Sequence, residues 1–369
     1  MSAPRVFLLA GEHSGDALGG PLMAAMKVVR PDVVFDGVGG PLMAVEGLKS
    51  IRPMEEFCVM GLVEVVKHYP RLRRLGFEII AHIEATQPDV VVTIDLPDFN
   101  FAVAKRLKKR GIYKGKIVHH VAPSVWAWRP GRAKKVARFL DGIMCLFPFE
   151  PAYFEAHGLQ AAFVGHSMIE SGMLEADGAA FRARHGIAAD AQTVGVLFGS
   201  RVREVEMIGD VFREVMERFP NVHFIVPTLP KLWERVEGYL VANYTIVVDE
   251  KEAAFAACER AMAVSGTVGL ELAYMGVPHV VGYKMHPVSA FIGRLLIKTK
   301  FAHLANILLG REVVPEFLQE RCTADNIADA LGDLSAQVDG LAEVRALLES
   351  GGGKPSEKAA EFVQRVSDL

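Results

Sequence analysis

The feature that most limits how this chain can fold is a set of short strand-like segments with no polar alternation. VVVTID, Val90–Asp95, runs through five apolar or β-branched residues before it meets a carboxylate. A strand of that kind must be buried on both faces, which a parallel sheet covered by helices on each side achieves. The first half repeats the device in VFLLA (Val6–Ala10), VVFDGVG (Val33–Gly39), KIVHHVA (Lys116–Ala122) and GIMCLF (Gly142–Phe147). The second half does so in TVGVLFG (Thr193–Gly199), HFIVPT (His223–Thr228), TIVVD (Thr245–Asp249), AMAVSG (Ala261–Gly266) and HVVGYK (His279–Lys284). Helix-like stretches separate them, and a polar, glycine-bearing segment, Ser167–Gly186, divides the two sets. The expected fold is α/β, with two doubly wound Rossmann-like domains facing across a cleft. GGGKPSEK, Gly351–Lys358, reads as a hinge before a last short helix.

A length of 369 residues suffices for two ordinary domains. The net charge of −3 is too small to suggest a nucleic-acid binder. Cys58, Cys145, Cys258 and Cys322 form no CxxC pair, which argues against a zinc site or a disulfide framework and fits a reducing compartment. The first apolar run is too short for a signal-peptide core, and no run is long enough to span a bilayer. The expected location is the cytoplasm, or a membrane surface that the chain does not cross.

Several strand ends carry polar clusters. AGEHSGDALGG, Ala10–Gly20, crowds Glu12, Ser14 and Asp16 into one turn. Its spacing is not GxGxxG, so it is either a weak anion loop or a plain strand-to-helix turn. In FGSRVREVE, Gly199 allows a special backbone angle, Ser200 suits an N-cap, and Arg201 falls in the first helical turn. A cation there opposes the helix dipole, so either an anion binds between helix start and guanidinium, or Arg201 pairs with Glu204 or Glu206. VSGTVGLELAYMGVP repeats the pattern with Ser265, Gly266 and Thr267, and Glu271 follows one helical turn later. Two anion-type helix starts in one domain suggest a diphosphate. Glu271 is then placed for ribose hydroxyls, unless it faces solvent and merely favours the dipole. TIDLPDFN, Thr93–Asn100, ends its strand in two aspartates. They fit helix capping, or ligand chemistry at the carboxyl edge of a sheet.

SVWAWRPGRAKKVARF, Ser124–Phe139, is a tryptophan-rich turn before a basic helix, suited to packing or to lining a cleft. Met60–Ile80 mixes Arg71, Arg73 and Arg74 with Leu62, Val65, Val66, Leu72, Leu75 and Phe77. That composition fits a lipid interface and also an amphipathic core helix. His13, His119, His120 and His166 lack metal-ligand spacing, and the chain has no D-x-D, so no metal site and no cofactor are expected.

Taken in order, AGEHSGD, VGGPLM, MGLVEV, DLPDFN, PSVWAWRPGRAKK, CLFPFEP, FVGH, GSRVREVE, SGTVGLE and LANILLGREVVPE resemble the lipid-A-disaccharide synthases from about Val6 to the last helix. WAWRPGR and FPFEP are the specific blocks. The resemblance implies a GT-B glycosyltransferase that needs no catalytic metal. It joins UDP-2,3-diacylglucosamine to 2,3-diacylglucosamine 1-phosphate with inversion to a β-1,6 bond, on the cytoplasmic face of a Gram-negative inner membrane. It implies an acceptor-side domain over 1–168, a UDP-sugar-binding domain over 169–342, and a tail over 343–369 crossing back to the first. Asp98 matches the aspartate of the family's DxPDFN motif and is the expected base. Asp95 is expected to hold the turn through backbone N–H groups, and the two roles can be exchanged. Gly199, Ser200, Arg201, Ser265, Gly266, Thr267, Glu271 and Asn306 are expected on the donor side, and Glu12, Ser14 and Asp16 on the acceptor or sugar side. Expected partners are the two lipid substrates, an anionic membrane surface through Leu62–Phe77, and a second copy of the chain, with no nucleic acid. His13, Phe198, Ser167, Val268 and Gly269 depart from the usual family residues.

Two other functions fit a nucleotide site of this kind. A UDP-sugar 2-epimerase of the same fold would need no acceptor, and a silent nucleotide-sugar-binding protein would not turn over. DLPDFN and WAWRPGR favour the synthase.

Overall fold

The computed structural model describes residues 3–57, 62–241, 243–286, 290 and 299–369, with only the backbone for 62–67. Cys58 and part of the Met60–Ile80 segment therefore lie outside the described residues. The chain clusters into two compact units, Met1–Ile169 with Gly351–Leu369, and Glu170–Ser350.

The first unit holds a six-stranded sheet of β1 (Arg5–Ala10), β2 (Val34–Val38), β3 (Val90–Ile94), β4 (Lys116–His120), β5 (Gly142–Cys145) and β6 (Gln160–Phe163). Its order is β2-β1-β3-β4-β5-β6, and every pairing is parallel. Unbroken apolar runs arise because alternate residues feed opposite layers. Phe7, Leu9 and Val91 pack with Leu75, Ile79, Ile83 and Leu107 on one face. Val6, Leu8 and Val92 pack with Leu22, Met23, Phe362 and Val363 on the other. Each such side chain contributes on the order of 1.5–3 kcal/mol when fully buried. The helix Pro355–Ser367 lies against the helix His13–Val29 in this second layer.

The second unit holds β7 (Thr193–Leu197), β8 (His223–Pro227), β9 (Tyr244–Val247), β10 (Arg260–Ala263), β11 (His279–Tyr283) and β12 (Glu316–Leu318). The order is β12-β11-β10-β7-β8-β9, again all parallel. Val194, Val196 and Phe224 face the helix Val202–Glu217, while Leu197, Ile225 and Ala261 face Phe181, Phe255 and Leu272.

Two strands go beyond those expected from sequence, β6 and β12. They are edge strands of four and three residues, QAAF and EFL, too short to show a periodic signal. Each sheet reverses its strand order once, between β1 and β3 and between β10 and β7. Such switch points open a crevice at the carboxyl ends of the strands, where doubly wound proteins bind ligands. No helix among the described residues is long and apolar enough to cross a membrane.

Candidate active site

At the switch point of the second sheet lies a pocket of about 380 Å³. Gly199, Ser200, Arg201 and Glu204 line it after β7, and Ser265, Gly266, Thr267 and Glu271 after β10. Pro227, Leu229, Val248 and Phe255 add apolar wall. Gly199 has φ +99°, and a Cβ there would stand 2.5 Å from Glu204 Oε2, so only glycine fits. Of the two readings for Arg201, the structure shows the ion pair. Its Nη1 donates to Glu204 Oε1 at 3.0 Å, while Glu206 pairs with Arg235. Glu204 Oε2 also accepts from the backbone N–H groups of Ser200 and Arg201 at 3.0 and 3.2 Å. A carboxylate of the chain thus occupies the anion position at this helix start. The Arg201 side chain keeps 69% of its surface exposed in the pocket wall.

Glu271 faces the pocket and accepts from Lys251 Nζ at 3.0 Å through Oε1. Lys251 lines the pocket too and escaped the sequence reading, since it sits twenty residues before its partner in the first turn of Lys251–Ala256. Asn306 is not among the lining residues. It is fully buried, and its amide serves Val314 O, Glu316 Oε1 and the N–H groups of Val313 and Val314. Its hydrogen-bonding capacity is committed to the loop before β12.

At the switch point of the first sheet, the turns after β1 and β3 touch. A Cβ on Gly11 would lie 2.8 Å from the Leu96 side chain. Ser14 Oγ donates to Asp95 Oδ2 at 2.9 Å. Burial and then the Asp95 charge raise the Glu12 carboxyl above its ordinary range. Asp95 and Leu96 both take left-handed backbone angles, φ +52° and +43°. Consecutive non-glycine residues in that region cost on the order of 1–3 kcal/mol each, a strain that collects at functional turns. The turn is held by Asn100, whose Nδ2 donates to the carbonyls of Ile94 and Asp95 at 3.2 and 2.7 Å. Asn100 thus braces the turn through its carbonyls, while the Asp95 carboxylate accepts from the Ser14 hydroxyl. Asn100 was hidden in the last letter of DLPDFN.

Asp98 sits in the first turn of Pro97–Arg110 with 96% of its side chain exposed, and accepts from Arg132 Nη2 at 2.9 Å. Asp16 is its opposite. It is 3% exposed and accepts from the N–H groups of Gly40, Leu42 and Met43 at 2.9–3.0 Å, capping the helix Pro41–Val45. Three such donors leave it an architectural carboxylate. Trp126 Nε1 donates to Glu150 Oε1 at 2.9 Å, and Glu150 Oε2 accepts from the N–H groups of Leu146 and Phe147. The WAWRPGR and FPFEP blocks are therefore one unit. Burial pushes the Glu150 carboxyl up to about 7 against the pull of those donors. Burial keeps His119 and His120 neutral, at about 3 and about 4.

In the described part of Leu62–Thr86, Leu75, Ile79, Ile80 and Ile83 are buried in the core. Phe77 is 44% exposed, with the guanidinium groups of Arg73 and Arg106 at 5.6 and 4.5 Å from its ring.

Comparison with known proteins places this geometry. Residues 6–347 match the family model of lipid-A-disaccharide synthetase. The chain is 47% identical to a lipid-A-disaccharide synthase of Rhodospirillum centenum, covering 98% of this chain and 94% of that one. It is 38% identical to the synthase of Pseudomonas aeruginosa strain UCBPP-PA14, over 98% of each. Among solved structures, the glycotransferase of kitacinnamycin superposes with a TM-score of 0.67 at 15% identity, covering 98% of this chain and 99% of that one. A UDP-GlcNAc 2-epimerase from Neisseria meningitidis bound to UDP-GlcNAc superposes with a TM-score of 0.64 at 11% identity, over 98% of each. Likeness at that identity reports the shared fold of GT-B glycosyltransferases and no activity.

Proposed function

The chain belongs to the lipid-A-disaccharide synthetase family, and from that premise we propose how its residues divide the chemistry. It is a glycosyltransferase of lipid A biosynthesis. In our reading the donor is UDP-2,3-diacylglucosamine and the acceptor 2,3-diacylglucosamine 1-phosphate. The acceptor side is assigned to 1–168 and the UDP-sugar side to 169–342, a division that the clustering into two units supports.

The observation that carries this reading is the pocket of about 380 Å³, with two strand-to-helix turns aimed into it and a carboxylate one turn along the second helix. Backbone N–H groups of Ser265–Thr267 and the Arg201 guanidinium meet the diphosphate. Glu271, held by Lys251 through Oε1, offers Oε2 to the ribose hydroxyls. Stabilising charge on the departing diphosphate contributes most when the donors are pre-placed, a role we give to the Ser265–Thr267 turn.

Inversion follows from a single displacement. The acceptor's primary hydroxyl attacks the anomeric carbon, and its proton passes to Asp98. The bond from the anomeric carbon to the phosphoryl oxygen breaks, and its electron pair leaves with UDP. Among the carboxylates of the first switch point, Asp98 suits the base because it is exposed, whereas Asp16 is consumed by a helix cap. Tyr69, Phe77, Arg73 and Arg106 form an exposed apolar and basic surface suited to the cytoplasmic leaflet that presents the acyl chains.

The test is direct. Purified protein with both lipids in detergent should yield the disaccharide 1-phosphate and UDP by mass spectrometry. Donor alone giving UDP and an epimerised sugar would replace this function with an epimerase.

A further inference from the structure

The WAWRPGR block is one of the two specific blocks of the chain, and the proposed chemistry gives it no role. We propose that its Arg132 binds the phosphate of the acceptor, and that this binding releases Asp98 to act as base. The assignment rests on the reading of Asp98 as base and of the acceptor as a glycosyl phosphate.

Among the described residues, Asp98 has one hydrogen-bond partner, Arg132 Nη2 at 2.9 Å. That hydrogen bond occupies Oδ1 with a donor that an acceptor hydroxyl would have to displace. As it stands, the base is masked. The two partners are not equally movable. Asp98 is 96% exposed, but the Arg132 side chain is only 21% exposed. The Arg132 guanidinium lies 5.2 Å from the Phe101 ring centroid, and Phe101 packs edge-on against His119 and Phe139. Arg132 opens the helix Gly131–Val136, and the loop before it is tied down by Trp126 and Glu150. An incoming anion therefore finds a fixed guanidinium and a carboxylate that can swing away.

A phosphate monoester is the anion best suited to that exchange. It carries more charge than a carboxylate and offers three oxygens to the planar fork. Arg129 lies one turn earlier, exposed, with its guanidinium 3.8 Å above the Trp128 ring, and adds a second cation to the same turn. Once the phosphate holds Arg132, Asp98 faces the acceptor without its neutralising partner. The proton of the acceptor hydroxyl then passes to Asp98 as the new glycosidic bond forms and UDP leaves. With donor alone, Asp98 stays paired and does not activate water against the donor.

The experiment measures disaccharide formation in neutral detergent, so that the acceptor is the sole phosphomonoester. Acceptor with and without its phosphate is compared in the wild type, Arg132→Gln and Arg132→Lys, alongside UDP release from donor alone. The wild type should lose about 10- to 100-fold in kcat/KM without the phosphate, with kcat itself falling, as expected for loss of a charge-assisted contact. Arg132→Gln should lose a similar factor on the phosphorylated acceptor and little on the other, and should release more UDP from donor alone. Arg132→Lys should fall between. A wild type indifferent to the phosphate overturns the proposal without reference to any variant. So does an Arg132→Gln that loses the same factor on both acceptors, which would mark a structural residue. No disaccharide from the wild type with either acceptor would remove the functional reading itself, and this assignment with it.

Discussion

Asp16 and Asp98 bring the same functional group into opposite surroundings, and their partners decide what each can do. Asp16 accepts three backbone N–H groups from a turn 24–27 residues away. Asp98 has one guanidinium and open solvent. Asp98→Asn should slow the single-turnover rate by about 10²–10⁴-fold, the usual cost of a lost general base, and leave UDP affinity unchanged because the pocket proposed for the nucleotide is lined only by residues of the second unit. Asp16→Asn should instead lower the melting temperature, since an amide cannot accept all three donors. If a stable Asp98→Asn turns over at the wild-type rate, the base is another carboxylate of these turns, with Glu12 and Asp95 next in line. Arg201→Ala should weaken UDP binding by about 1.5–3 kcal/mol, measured by calorimetry. Unchanged affinity would leave Arg201 as the partner of Glu204 alone. The sequence pointed to polar letters at strand ends, because short motifs sit there. It could not show the partners. Asp16 with Gly40, Glu271 with Lys251 and Asp98 with Arg132 are joined only by the fold, and Asn306 reads the same in one dimension whether it meets a ligand or braces a loop.

At the scale of elements, the strands buried on both faces were legible because burial on two sides leaves an unbroken apolar run. β6 and β12 were not, because an edge strand needs only a few residues to pair on one side. The helix Leu62–Thr86 shows a different limit. Leu75, Ile79, Ile80 and Ile83 spell a core face, yet Phe77 is half-exposed under two guanidinium groups. Cation–π contacts keep those charges beside an apolar ring, an arrangement suited to an anionic interface. Replacing Arg73 and Arg106 with Ser should reduce partitioning onto vesicles containing phosphatidylglycerol by about 1 kcal/mol per residue. The same variant should keep its melting temperature, because neither side chain is in the core. Partitioning that does not change would leave Leu62–Thr86 as a core helix only.

For the molecule as a whole, buried titratable groups set how stability depends on pH, and they pull in opposite directions. Burial lowers His119, His120 and His279 to about 3, about 4 and about 4 from 6.5. Below 6.5 the unfolded chain binds their protons and the folded one does not, so they cost stability as pH falls. Glu150 acts the other way. Its folded value of about 7 exceeds the unfolded 4.5, so between the two the folded state holds the extra proton and stability is lost as pH rises. The full effect is about 3 kcal/mol at 1.36 kcal/mol per pH unit. The wild type alone cannot separate these trends, but Glu150→Gln can. Glutamine keeps an oxygen for the N–H groups of Leu146 and Phe147 and carries no charge at any pH. Urea unfolding of both proteins should be followed by tryptophan fluorescence, with Trp126 and Trp128 reporting the first unit. The stability of the wild type relative to Glu150→Gln should decline steadily from about pH 5 to about pH 7 and then level off. A difference that stays constant over that range would mean that Glu150 is ionised throughout. Its three donors would then outweigh its burial, and the tie between WAWRPGR and FPFEP would be a fixed charge rather than a neutral carboxyl.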